Sequence, residues 1–261
     1  GLICGEIFVA SLTIPLVLPL VGQSWQGSFI AWSVPVVATA LLVALYPCSM
    51  KTPQKKTMVA AAPLPWWPNW RDPLIWKLGL LFGSINAMYF VGSAFLPDYM
   101  IARGHPELIS AALTGLNVCQ LPASFLMLLF AGRLAGHPSV YIVVALLSIS
   151  SLIGIMCAQG YWIVVWCCLL GFSAAVTLIL VLALPSILSP PHDVHRTSAG
   201  MFTISYGSAM LVSVLTGLLW EWTHQPISGF APLALYGLAT LPLCLSVGRA
   251  HHKIAKRPNH D

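Results

Sequence analysis

The sequence predicts an all-α integral membrane protein of about eight transmembrane helices. Three observations carry this reading: too few charges to cover a soluble surface, apolar runs of membrane-spanning length, and Lys and Arg gathered on one side of those runs. Of the 261 residues, 58% are hydrophobic and 7% are charged, with a mean hydropathy of +0.85. Soluble domains carry about 25% charged residues, so a chain this poor in charge has to turn much of its surface towards lipid. Its 10 tryptophans suit the interfacial zones of a bilayer.

A transmembrane helix needs about 20 mainly apolar residues. Eight runs qualify: 2–22, 28–47, 75–97, 108–131, 139–157, 161–187, 198–221 and 229–248. They are too long for barrel strands and lack the alternation that strands require. Most connections are short, which makes neighbouring helices antiparallel. The exception runs from Pro47 to Pro73 and holds Lys51, Lys55, Lys56, six prolines and Trp66, Trp67 and Trp70. The chain therefore divides into two helices (1–47), a long loop (48–74), a six-helix bundle (75–249) and a basic tail (250–261).

Orientation follows from Lys and Arg, which accumulate on the cytoplasmic side of membrane proteins. With the long loop placed there, that side receives Lys51, Lys55, Lys56, Arg71, Lys77, Arg133, Arg196, Arg249, Lys253, Lys256 and Arg257, and the other side receives Arg103 alone. The expectation is a multi-pass protein of the cell (inner) membrane with long loop and C-terminus in the cytoplasm. The net charge of +5 belongs to this pattern and not to a nucleic-acid-binding face. The seven cysteines, among them Cys119, Cys157, Cys167, Cys168 and Cys244, lie in or beside apolar runs without a CxxC, where Cys acts as a small hydrophobe. The opening Gly-Leu-Ile-Cys already lies within an apolar run and reads as the continuation of a longer chain.

Polar groups are costly in lipid, so their placement is informative. In the third span Gly79, Gly83, Asn86, Tyr89 and Ser93 recur at three- and four-residue spacing, forming one stripe on a helix. The fourth span holds Asn117 and Gln120, the sixth Thr177, and the seventh Gly200, Thr203, Ser205, Tyr206, Gly207 and Ser208. Two readings stand for these groups. Either they line a water-filled path and bind solute, or the small residues let helices approach closely and the amides bond between helices. Packing is the reading for the glycines and serines, whereas Asn86, Asn117, Gln120 and Tyr206 fit both. Glu6 is the one carboxylate well inside a span. It is a candidate proton-coupling acid or a residue of the interface. Pro15, Pro19, Pro122 and Pro185 each remove a backbone bond from their helices and favour kinks.

Other chemistry is poorly supported. His192-x-x-His195 has helical metal-ligand spacing but only Asp193 beside it, and it reads as a solvated loop with no metal. Gly171-Phe172-Ser173-Ala174 has the form of an intramembrane serine nucleophile, yet no later span holds a His to serve as its base. Neither HExxH nor GxxxxGK[ST] occurs. No cofactor is expected, and the chain is not read as an enzyme. The competing class is a polytopic membrane enzyme or a non-transporting assembly subunit.

Two helices, a long basic loop, six helices and a basic tail resemble the last two-thirds of a major facilitator superfamily carrier, helices 5 to 12 of twelve. Several stretches resemble its cyanate-permease and nitroimidazole-transporter branch: Trp76 with Gly79, Tyr89-Phe90 and Phe95-Leu96-Pro97-Asp98-Tyr99 at a helix end. Arg133-Leu134 stands at the place of the superfamily's cytoplasmic gate loop, although Ala131 to His137 lacks the Asp and closing basic pair of that motif. Ser198-Ala199-Gly200-Met201, Tyr206-Gly207 and Gly217 to Thr223 complete the likeness. The resemblance implies a secondary carrier, monomeric when full-length, that moves a small polar or anionic solute by alternating access. It places Asn86, Tyr89, Asn117, Gln120 and Tyr206 on cavity-facing helices, and it implies that this chain alone is incomplete for transport.

Overall fold

The structure, a computed structural model, describes residues 13–45, 67–134 and 137–255. Most of the expected first span, Glu6, Lys51, Lys55, Lys56, Trp66, Lys256 and Arg257 lie outside the described residues. Two compact units divide at Trp66 and Trp67.

In the first unit, Thr13–Val17 forms a π-helical turn around Pro15, followed by a helical turn at Leu18–Leu20. A wide turn of this kind accommodates a residue that cannot donate to the helical ladder. The chain reverses at Gly22 and Gln23, both with positive φ, and enters α1 (Trp25–Leu45). The Trp32 indole Nε1 donates to Thr13 Oγ1 at 2.9 Å, joining the two segments.

Among its described residues the second unit holds seven α-helices: α2 (Pro73–Ala102), α3 (Ile109–Val118), α4 (Gln120–Leu134), α5 (Pro138–Cys157), α6 (Trp162–Leu188), α7 (Val194–Thr223) and α8 (Ala231–Ala255). No strand occurs among the described residues. Among the described residues seven helical stretches, α1 included and α3–α4 taken together, are long and apolar enough to cross a membrane. The fold is thus all-helical and of integral membrane type. Starts are encoded locally. The Asp72 carboxylate accepts from the Leu74 N–H at 2.9 Å, and Pro73 follows at the first helical position, where its missing donor costs nothing. Pro138 opens α5 in the same way.

Several boundaries differ from expectation, the largest at the end of α8, which runs to Ala255 where 248 was expected; two others bear on the motifs above. The Leu96-Pro97-Asp98-Tyr99 stretch does not close its helix, because α2 continues through Pro97 to Ala102. One missing donor is tolerated where neighbouring helices support the backbone. The seventh helix begins at Val194, four residues early, so His195 and Arg196 lie in its first turn and not in a loop.

Helix α2 is central. It packs most extensively on α7 and also on α8 and α6, while α6 packs against α5, α3 and α4, and α5 against α8. Phe82, Met88, Leu116, Leu152, Ile163 and Leu180 belong to the shared buried core. Around it Leu128, Leu129, Val143 and Leu218 remain exposed, as lipid-facing side chains must.

Candidate functional site

Absent side chains set how closely α2 and α7 approach. A Cβ on Gly79 would stand 2.6 Å from Ile204 Cβ, and one on Gly83 would overlap Ser208 Oγ and the Tyr236 hydroxyl. Gly79 and Gly83 of the polar stripe thus turn towards α7. Asn86, 7% exposed, donates from Nδ2 to Ser205 Oγ at 2.8 Å. Buried side-chain bonds of this kind pin two helices in rotation and register.

Three residues along, the Tyr89 hydroxyl donates to Asn117 Oδ1 at 2.8 Å, and Asn117 Nδ2 donates to the Leu113 carbonyl at 2.8 Å. Gln120, 5% exposed, reaches back with Nε2 to the Leu116 carbonyl at 3.4 Å. These amides flank an interruption of the fourth span at Cys119, between α3 and α4. Pro122 fits this position, since it has no N–H to offer the Val118 carbonyl four residues earlier and a proline ring crowds that carbonyl. Cys119 still donates to the Gly115 carbonyl at 3.1 Å, so the break is local. The two amide side chains gather at the weakened turn and bond to carbonyls of their own helix.

Tyr206 is different. It is 53% exposed and its ring stacks on Phe202 at 6.2 Å and 13°. Phe90 lies 6.4 Å from Tyr206 and 5.2 Å from Tyr89. Phe90, Ala94, Tyr206, Met210 and Ser213 line an open cleft of about 350 Å³ between α2 and α7. Its lining is aromatic and apolar, with hydroxyls at Tyr206 and Ser213 and no charge among the described residues. The faces of aromatic rings favour flat, polarisable partners.

The structure therefore brings Tyr89 and Asn117 together and puts Tyr206 on the cleft, while Asn86 and Gln120 face helix partners. Arg133 is exposed in the last turn of α4, where its carbonyl accepts from His137 Nδ1 at 2.8 Å. Ser173 is buried, donates to the Leu170 carbonyl at 3.0 Å and meets Ser148 at 3.0 Å. Gly171 before it lies against the Leu116 backbone. This stretch is a helix-packing element. His192 is exposed, 3.6 Å from Asp193. Asp193 also pairs with Arg196 at 2.7 Å, and Arg196 Nε donates to the Trp67 carbonyl at 2.8 Å.

Sequence reasoning missed Phe90 as a cleft residue and Phe202 as the ring stacked on Tyr206, because aromatic residues are ordinary in apolar helices. It also missed Tyr236, whose hydroxyl reaches the Leu80 carbonyl at 3.0 Å and Ser208 at 2.8 Å. The spacing of Tyr236 and Thr240, one helical turn apart, was the available signal.

No protein-family model and no solved structure matches the chain. Over 244 residues, 90% of this chain, it is 26% identical to the 2-nitroimidazole transporter of Escherichia coli (strain K12). The chain spans 60% of that relative's length. The protein named as a transporter is thus matched along nearly all of this chain but over only part of its own length.

Proposed function

We propose that this chain supplies helices 5 to 12 of a major facilitator carrier in the inner membrane, with the long loop and the C-terminus in the cytoplasm. The likeness to a named transporter along 90% of the chain carries the proposal. The distribution of Lys and Arg supports the orientation. Transport would follow alternating access, two bundles rocking about a site near the midplane. The chain would need the rest of the carrier to enclose that site.

The cleft supports a solute class. Phe90 and Tyr206 offer ring faces, and the Tyr206 and Ser213 hydroxyls offer hydrogen bonds without a fixed cation. This favours a small planar heterocycle, of which a nitroimidazole is an example, over a small anion. Tyr89 and Asn117 would complete the wall. Asn86 and Gln120 would hold α2, α7 and the broken fourth span in place. Glu6 stands as the candidate coupling acid and Arg133 as the candidate gate-loop cation.

The test is flux of labelled 2-nitroimidazole and cyanate through the carrier containing this chain. Phe90→Ala and Tyr206→Ala are expected to weaken apparent affinity for the heterocycle about 2- to 10-fold each, since an aromatic contact is worth about 0.5–1.5 kcal/mol. Unchanged flux in both variants would remove the cleft from the site. No flux of either solute in the parent carrier would remove the solute assignment.

A further inference from the structure

Four helices of the second unit line another space, partly open and distinct from the cleft. It measures about 20 Å³ and is lined by Ser84 of α2, Ser148 of α5, Thr177 of α6 and Thr240 of α8, with Met88 and Gly237 among the apolar neighbours. Ser84, Ser148 and Thr240 are buried. Gly237 brings α8 close, since a Cβ there would overlap Met88 Cε.

A space of about 10–15 Å³ or more on this measure accommodates one water, and its polarity decides whether it is wet or dry. Each hydroxyl spends its proton nearby. Ser84 Oγ donates to the Leu81 carbonyl, Thr177 Oγ1 to the Ser173 carbonyl and Thr240 Oγ1 to the Gly237 carbonyl, all at 2.9 Å. Ser148 Oγ has its single proton for the Val144 carbonyl or for Ser173 Oγ, both at 3.0 Å. What these side chains retain for the space is oxygen lone pairs. Any polar occupant must therefore be a donor or a cation. None of the lining residues is charged, so a cation would sit in the bundle interior without a counter-charge, an unfavourable arrangement.

We infer that this space is a binding site for one structural water, which donates to two of the four hydroxyls and so joins the two helices that carry them. The site is independent of the transport reading, since it requires only the second unit.

The test is an experimental map of the carrier fine enough to show ordered water, recorded in sodium buffer, in potassium buffer and under xenon. The expected result is a peak within hydrogen-bonding reach of at least two of Ser84, Ser148, Thr177 and Thr240, equal in both buffers, with xenon excluded. A xenon peak or an empty space would show a dry cavity, and a peak lost without sodium would show a cation. Either result overturns the inference. The near-isosteric Thr240→Val and the smaller Ser148→Ala each remove one acceptor. Combined, they should abolish or displace the peak while the far-ultraviolet helix signal is retained. Should the pair fail to fold, each single variant should still weaken the peak. A peak undisturbed in the variants would overturn the role of the hydroxyls.

Discussion

At Gly83 the interior of the bundle has no space for a methyl group, because Ser208 and the Tyr236 hydroxyl already occupy it. Gly83→Ala must displace these hydroxyls or the helices that carry them, and overpacking of this kind costs about 1–3 kcal/mol. A lowered melting temperature of the detergent-solubilised protein checks this, and an unchanged one would mean that the hydroxyls move aside freely. The Asn86–Ser205 bond is a separate case. In a double-mutant cycle with Asn86→Ala and Ser205→Ala, its coupling should be about 0.6 kcal/mol, typical of hydrogen bonds between membrane helices. Half of this arrangement was legible in the sequence. The three- and four-residue recurrence from Gly79 to Ser93 announced a face, but Ser205 lies 119 residues from Asn86, and no local pattern could pair them.

Elements were easier to read than contacts, because lipid imposes length and apolarity on every span. Helices α5 and α6 begin and end within one residue of expectation. A kink was legible from Pro122 but not its position, since a missing donor acts on the carbonyl four residues back, and the interruption lies at Cys119. Pro122→Ala should restore the bond to Val118 and join α3 to α4. Spin labels near Ser110 and Phe130 would report the straightening as a changed distance, and an identical distance would show that tertiary packing makes the break. Arg103, the one basic residue on the expected outer side, also has a structural reason. Its Nη2 donates to the Ala158 carbonyl at 3.0 Å, and the Tyr99 hydroxyl beneath it lies 3.0 Å from the Met156 carbonyl. Together they satisfy carbonyls at the end of α5, where the helix dipole favours a cation. Arg103→Gln should lower stability by about 0.3–1 kcal/mol, measured by thermal melting at low salt, with the loss shrinking as salt rises.

For the whole molecule, the membrane class and helical architecture were legible from composition and periodicity alone. The candidate site was legible only in part. Tyr206 was singled out as one of the polar and small residues clustered in the seventh span, whereas Phe90 resembles any other apolar residue until α2 and α7 are placed side by side. The proposed carrier gives an expectation at this scale. Replacing both cleft rings, Phe90→Ala with Tyr206→Ala, should reduce heterocycle flux more than either change alone while leaving the amount of protein in the membrane unaltered. Immunoblotting of membranes beside the flux assay separates loss of transport from loss of protein.

The close meeting of Gly171 with the Leu116 main chain also bears on which sequences this fold can accept. Side chains at a crossing can repack, but a carbonyl held in a helical ladder cannot rotate out of the way. A library randomised codon by codon and selected for membrane expression should therefore return glycine almost alone at position 171. Positions 132 and 207, where an added Cβ meets nothing within 4 Å, should return a broad alphabet with alanine prominent, as helix propensity favours.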